Sequence, residues 1–166
     1  MKTDENLAEA FAGESQANRK YLAFAEAASK EGLPQVARLF RAVAAAETIH
    51  ALAHLRALGG VKGTAENLAA AIAGEKHEFE DMYPGFVATA EAEGARAAAL
   101  SMSRALEVEK VHYGLFTAAQ AAVGDGKDLP DAPIFVCAIC GHTVQGSVPD
   151  QCPVCRAKAA MFTAVA

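Results

Sequence analysis

Glu47 and His50, and again Glu109 and His112, form two Glu-x-x-His pairs on sequence of helical character. Behind them stand Cys137, Cys140, Cys152 and Cys155 in two Cys-x-x-Cys pairs. Residues three apart on a helix share a face, so each Glu–His pair can grip one ion. Carboxylate and imidazole make a hard site suited to chemistry on dioxygen or peroxide. Four thiolates make a soft site suited to holding zinc or to passing electrons through iron.

The elements that must position these residues follow from composition and punctuation. Alanine is roughly a quarter of the 166 residues, Trp is absent, and β-branched residues are sparse before the last 40 or so positions. Such a chain favours close-packed helices. Thr3 is a candidate N-cap for a first helix running to about Lys30. Gly32-Leu33-Pro34 breaks it, and Pro34 suits the first turn of a second helix ending near Leu58. Thr64 can cap a third, ending near Glu93, with a kink expected at Pro84. Gly94 ends it, and a fourth runs to about Val123. The organisation expected is a helical domain over 1–124, a linker over 125–132 and a small Cys-rich module over 133–166.

The helical part repeats itself. A shift of 62 positions superposes Tyr21 on Tyr83, Phe24 on Phe86, Gly32 on Gly94, Glu47 on Glu109 and His50 on His112. Each half reads as a helical hairpin, so a four-helix bundle would set the two Glu-x-x-His pairs facing one another. A di-metal bundle also needs a carboxylate from each remaining helix. Glu14 is the candidate on helix one, and Glu75 and Glu78 are the candidates on helix three. Five buried carboxylates would repel one another, and two cations remove that penalty. Against two ferric ions a small positive balance remains, which an oxo or hydroxo bridge offsets.

Other polar residues have blander readings. Glu9, Glu26, Glu31, Glu91, Glu93 and Glu107 read as surface charge. His54 reads as a packed neighbour of the site, and His77 as solvent-facing. Tyr21 and Tyr83 are either core aromatics or hydrogen-bond partners of ligand carboxylates. In the Cys module, 11 residues separate Cys140 from Cys152. The spacing fits a tetrathiolate site, with iron or zinc as the ion.

The formal charge of −5 argues against a nucleic-acid partner. No apolar run is long enough for a membrane span, and the first residues lack a signal-peptide core. A cytoplasmic location is expected, where paired Cys read as metal ligands rather than disulfides.

As a set, Glu14, Glu47-x-x-His50, Glu75-x-x-Glu78 with Tyr83-Pro84 behind it, Glu109-x-x-His112 and the four Cys resemble the rubrerythrin family. The resemblance covers nearly the whole chain. It implies a mainly α, ferritin-like four-helix bundle followed by a rubredoxin-like domain. It implies a non-haem di-iron peroxidase that reduces hydrogen peroxide to water and is re-reduced through an iron held by Cys137, Cys140, Cys152 and Cys155, with zinc as the alternative there. Glu47 and Glu109 would bridge two irons, with Glu14 and Glu75 terminal. His112 would hold the second iron, while Glu78 and His50 exchange on the first. Electrons would come from an external rubredoxin or an NAD(P)H-dependent reductase, since the chain lacks a dinucleotide fingerprint. The rival readings are a ferroxidase or iron-handling protein, and an electron-transfer protein with the bundle as scaffold.

Two features depart from the resemblance. Arg156 follows Cys155 where the family's domain usually carries Gly, which should strain the turn. The link between helices two and three is also short. About six residues reach roughly 20–25 Å, against roughly 30 Å to cross a ferritin-like bundle. A homodimer is therefore expected, domain-swapped so that helices three and four complete the neighbour's site. A simple up-down-up-down bundle, or frayed helix ends, is the alternative.

Overall fold

Alanine spacing builds the first hairpin. In the computed structural model, which describes residues 1–165, α1 spans Lys2–Lys30 and α2 spans Pro34–Ala57. Their seam is lined by buried Ala25, Ala28, Ala37, Ala44 and Ala51. Small side chains let the backbones approach while costing little helix propensity. A buried polar link also crosses the seam. Buried Asn18 donates from Nδ2 to the Ala44 carbonyl (2.6 Å) and to Thr48 Oγ1 (2.8 Å), fixing the register of the pair. Gly32 turns the chain with φ 76°. Its N–H reaches Ser29 O and that of Leu33 reaches Ala28 O, a Schellman cap.

The first hairpin lies within one of two compact units, Met1–Lys62; the other is Gly63–Ala166. In the second unit α3 spans Thr64–His77, a π turn spans Glu78–Met82, α4 spans Tyr83–Ala92 and α5 spans Arg96–Gly124. Gly94 repeats the Gly32 cap, with φ 70° and bonds from Gly94 N to Glu91 O and Ala95 N to Ala90 O. The third helix of the sequence is therefore α3, the π turn and α4 in series.

Three local expectations are corrected. Thr3 does not cap α1: Met1 is the N-cap, and its ammonium group meets Asp4 at 3.1 Å. Thr64 is the first helical residue, and extended Gly63 takes the cap position with the Glu66 carboxylate folded back beside it. The irregularity expected at Pro84 begins earlier, as the π turn, in which Tyr83 N–H bonds to Glu78 O. A π turn accommodates one residue more than α geometry. The repeat shows where that residue lies: Glu14 stands seven before Tyr21, but Glu75 stands eight before Tyr83.

The C-terminal part of the second unit is a three-stranded antiparallel sheet ordered β2-β1-β3. Here β1 is Ile134–Cys137, β2 Thr143–Gln145 and β3 Phe162–Val165. Phe135 pairs with Val144 on one side and Ala164 on the other. Strands this short cannot make a stable core alone, and the four Cys cluster where such a core would be missing.

Candidate metal centres

Each hairpin assembles its own cluster of two carboxylates and one imidazole. In the first, Glu14 of α1 meets Glu47 and His50 of α2, with ligand atoms within 4.8 Å of one another. His50 Nδ1 lies 3.0 Å from Glu47 Oε2 and 3.9 Å from Glu14 Oε1. In the second, Glu75 of α3 meets Glu109 and His112 of α5 within the same limit. His112 Nδ1 lies 2.7 Å from Glu109 Oε2 and 3.7 Å from Glu75 Oε2. The two sets match residue for residue, as the sequence repeat leads one to expect.

Protonation in the metal-free sites reports crowded negative charge. A hydrogen bond from Glu14 to Glu47 raises Glu14 above the ordinary carboxylate range and lowers Glu47, which His50 lowers further. Burial, with a hydrogen bond to Glu109 and its charge, pushes Glu75 up to about 7. Crowding of carboxylates at Glu14 and Glu75 is a cost that a cation would relieve. Glu75 Oε2 is buried without a hydrogen-bond partner. An acceptor-only oxygen left bare in this way fits a metal ligand. The donor sets therefore suit hard cations at both half-sites.

The remaining candidates are placed less evenly. Glu78 opens the π turn and stands outside the three-group set. Burial and the charge of Glu109 raise its pKa, which puts it beside the second half-site. Tyr83 faces the same group: burial and then the charges of Glu78, Glu109 and Glu75 raise its pKa. Tyr21 instead packs on Phe24 and Phe40, with ring centroids 6.2 and 6.1 Å away. His54 is half-buried near Glu14, whose pKa its charge lowers. His77 is exposed and bonds Asp81 at 3.2 Å.

The four thiols converge. Cys137 and Cys155 Sγ lie 3.7 Å apart, and Cys140 and Cys152 Sγ lie 3.5 Å apart. Thiolates bound tetrahedrally at ~2.3 Å lie roughly 3.8 Å from one another, far beyond a disulfide's ~2.05 Å. Burial pushes Cys140 up to about 12. Burial acts the same way on Cys152, but there the N–H groups of Cys155 and Val154 outweigh it and bring the thiol down to about 7. Such N–H donors are what a metal-bound thiolate uses.

One contact has no counterpart in the motifs. Thr143 of β2 reaches His112 of α5, Oγ1 to Nε2, at 3.1 Å. Thr143 Oγ1 donates in turn to the carbonyl of Gly141, next to Cys140. Buried Val108, one turn before His112, lies under Gly141. The strand hairpin thus lies along α5 beside His112, which is 26% exposed; His50 of the first hairpin is 55% exposed. Beside Glu75 and His112 opens a cavity of about 500 Å³ with walls of Leu68, Leu115, Phe116, Leu129 and Ile134. Among the described residues no helix is long and apolar enough to cross a membrane.

Comparison with known proteins bears on the whole chain. The family model described as "Rubrerythrin" matches residues 5–120, and that described as "Rubrerythrin, rubredoxin-like domain" matches residues 135–163. Rubrerythrin-2 of Clostridium acetobutylicum is 36% identical, covering 98% of this chain and 96% of its own. Nigerythrin of Nitratidesulfovibrio vulgaris is 40% identical, covering 98% and 86%. A solved structure titled "Fully reduced state of nigerythrin (all ferrous)" is similar with a TM-score of 0.59 and 36% identity, covering 98% of this chain and 86% of that one.

Proposed function

Since the chain belongs to the rubrerythrin family, we propose that it is a hydrogen peroxide reductase that draws its electrons through its own four-cysteine iron. The fold class is the family's, ferritin-like and mainly α with a rubredoxin-like domain. The cofactors are those of the family: a carboxylate-bridged di-iron centre, and a single iron at the Cys cluster, where zinc is the alternative ion. The observation that carries the reading is the coexistence in one chain of two matched Glu-Glu-His half-sites and a tetrathiolate cluster. Storage or simple iron oxidation needs no attached electron donor.

A bound di-iron centre would supply the two electrons that, with two protons, reduce hydrogen peroxide to two waters. The chain's residues arrange that exchange. Glu47 and Glu109 would be the shared ligands of the two ions, Glu14 and Glu75 the outer ones, and His112 would bind through Nδ1. Glu78, near Glu109 but outside its three-group set, would exchange with His50 as a ligand when the charge of the bound ions changes. Tyr83, whose raised pKa keeps its phenolic proton in place, is a hydrogen-bond donor at the same edge. The apolar cavity beside Glu75 and His112 admits a small oxidant and limits bulk water.

The partners are hydrogen peroxide, a separate reductase or rubredoxin, and a second copy of the chain. The six residues from Leu58 to Gly63 link α2 to α3. They reach about 20–25 Å, short of the roughly 30 Å crossover of a ferritin-like bundle. We assign the pairing of half-sites to a swapped homodimer, α1–α2 of one copy with α3–α5 of the other. The protein functions in the cytoplasm, in defence against oxidative stress.

Anaerobic stopped-flow on the fully reduced, iron-loaded protein tests the reading. Mixed with hydrogen peroxide, the bundle should oxidise far faster than with dioxygen, and ferric–thiolate colour should follow. Equal rates with dioxygen, or no thiolate colour, would move the assignment to a ferroxidase with a structural zinc tail.

A further inference from the structure

We propose that Thr143 is a positioning residue for the carboxylate site: its hydroxyl fixes the tautomer and orientation of His112 and ties that ring to the Cys140 knuckle. The inference deepens the reading above, because it takes His112 as a metal ligand.

One proton decides the direction of both bonds. Thr143 has a single hydroxyl hydrogen, and at 3.0 Å it is directed to the Gly141 carbonyl. Towards His112, 3.1 Å away, the oxygen can then only accept. Nε2 of His112 must therefore carry hydrogen. In the neutral ring this leaves Nδ1 bare, and Nδ1 is the nitrogen aimed at Glu109 Oε2 (2.7 Å) and Glu75 Oε2 (3.7 Å). A bare nitrogen and two carboxylate oxygens around one point attract a cation and repel each other without one. Metal-binding histidines are commonly held in this way through their second nitrogen, and losing that partner weakens metal binding by roughly 10–100-fold.

The acceptor end is equally constrained. Gly141 has φ 84°, and its N–H bonds to Cys137 O at 2.9 Å, closing the first Cys-x-x-Cys turn. Its carbonyl direction is therefore set by the knuckle. A continuous line of covalent and hydrogen bonds runs from Cys140 through Gly141 and Thr143 to His112. A threonine placed by the metal-binding turn of one module thereby orients a ligand of the other. His50, the matching residue of the first hairpin, is more exposed and pairs with Glu47 within its own hairpin.

The test compares Thr143→Val, which keeps the shape and removes the hydroxyl, with Thr143→Ser, which keeps the hydroxyl. The full chain is loaded with zinc, and 1H–15N NMR reads the His112 ring, identified by its loss in His112→Gln. Zinc affinity of the carboxylate sites is measured alongside. Expected is an Nε2–H ring at His112 in the wild type and Thr143→Ser. In Thr143→Val, tautomers should mix and affinity should fall about 10-fold or more. Equal behaviour of all three proteins overturns the inference, as does an equal loss in Thr143→Val and Thr143→Ser. Should the wild type bind no zinc at its carboxylates, the functional reading fails. The His112 ring in the metal-free chain then still decides the role of Thr143.

Discussion

Gly141 and Arg156 occupy the same place in the two cysteine knuckles. Gly141 has φ 84° and donates to Cys137 O at 2.9 Å; Arg156 has φ 63° and donates to Cys152 O at 2.9 Å. Arg156 is the only non-Gly residue with positive φ among those described. A side chain in this region costs about 1 kcal/mol, so the second turn carries strain that the first avoids. Arg156→Gly should stabilise the iron-loaded Cys module by about that amount, slowing metal loss to a chelator. It should also lower the reduction potential of the thiolate iron by removing a positive charge. Chelator kinetics and a spectroelectrochemical titration check the two effects separately.

The swapped arrangement makes an asymmetric prediction. A chain with Glu47→Ala and His50→Ala is inactive, and so is one with Glu109→Ala and His112→Ala. Unfolded together and refolded with iron, they should regain peroxide turnover. In a swapped mixed dimer one site unites both intact halves. Without exchange every site keeps one damaged half, and the mixture stays inactive.

Glu75 sets a pH dependence in the metal-free protein. Its pKa is about 7 in the fold against an ordinary 4.5. Between those values the folded chain holds a proton that the unfolded chain has lost. The associated stability is full below about pH 4.5 and disappears as pH rises through about 7. Urea unfolding of the metal-free chain should show its midpoint falling from pH 5 to pH 8, with a flatter profile in Glu75→Gln. Cation binding at pH 6 should release close to one proton from this group, measurable in a weakly buffered indicator dye.

Glu78 separates the proposed peroxidase from a scaffold reading. Glu78→Ala should lower peroxide turnover roughly 10–100-fold while leaving the ferric–thiolate spectrum unchanged. Unaltered turnover in an iron-loaded variant would reassign Glu78 to surface charge.

Much of this arrangement was legible before any coordinates. Glu47–His50 and Glu109–His112 announce themselves because a three-residue step is a helix face, and the Cys pairs because two thiolates per turn are what a tetrahedral ion needs. The strained Arg156 was readable from its position after Cys155. The Thr143–His112 bond was not, since 31 positions separate the two residues and a threonine on a short strand has no distinguishing pattern. Helix starts at Lys2 and Thr64 differ from the expected caps by a residue or so, where neighbouring charges compete with hydroxyl capping. The π turn was half-visible. Pro84 advertised an irregularity, but its place lay in the spacing of Glu75 and Tyr83, out of step with Glu14 and Tyr21.

That slip gives the chain a history. Two hairpins matched at Tyr, Phe, Gly, Glu and His, and displaced only at one carboxylate, are what a duplicated ancestor leaves when one copy gains a single residue. In a regular helix an insertion turns everything beyond it by ~100°. Here the wide turn at Glu78–Met82 confines the disturbance. Deleting one residue between Phe79 and Met82 should therefore keep the helical circular dichroism while withdrawing Glu78 from Glu109, which an unchanged turnover would contradict. Glu75 with Glu109 and His112 keeps the same grouping as Glu14 with Glu47 and His50. The extra residue accompanies a further carboxylate, Glu78, that the first hairpin lacks at the matching position.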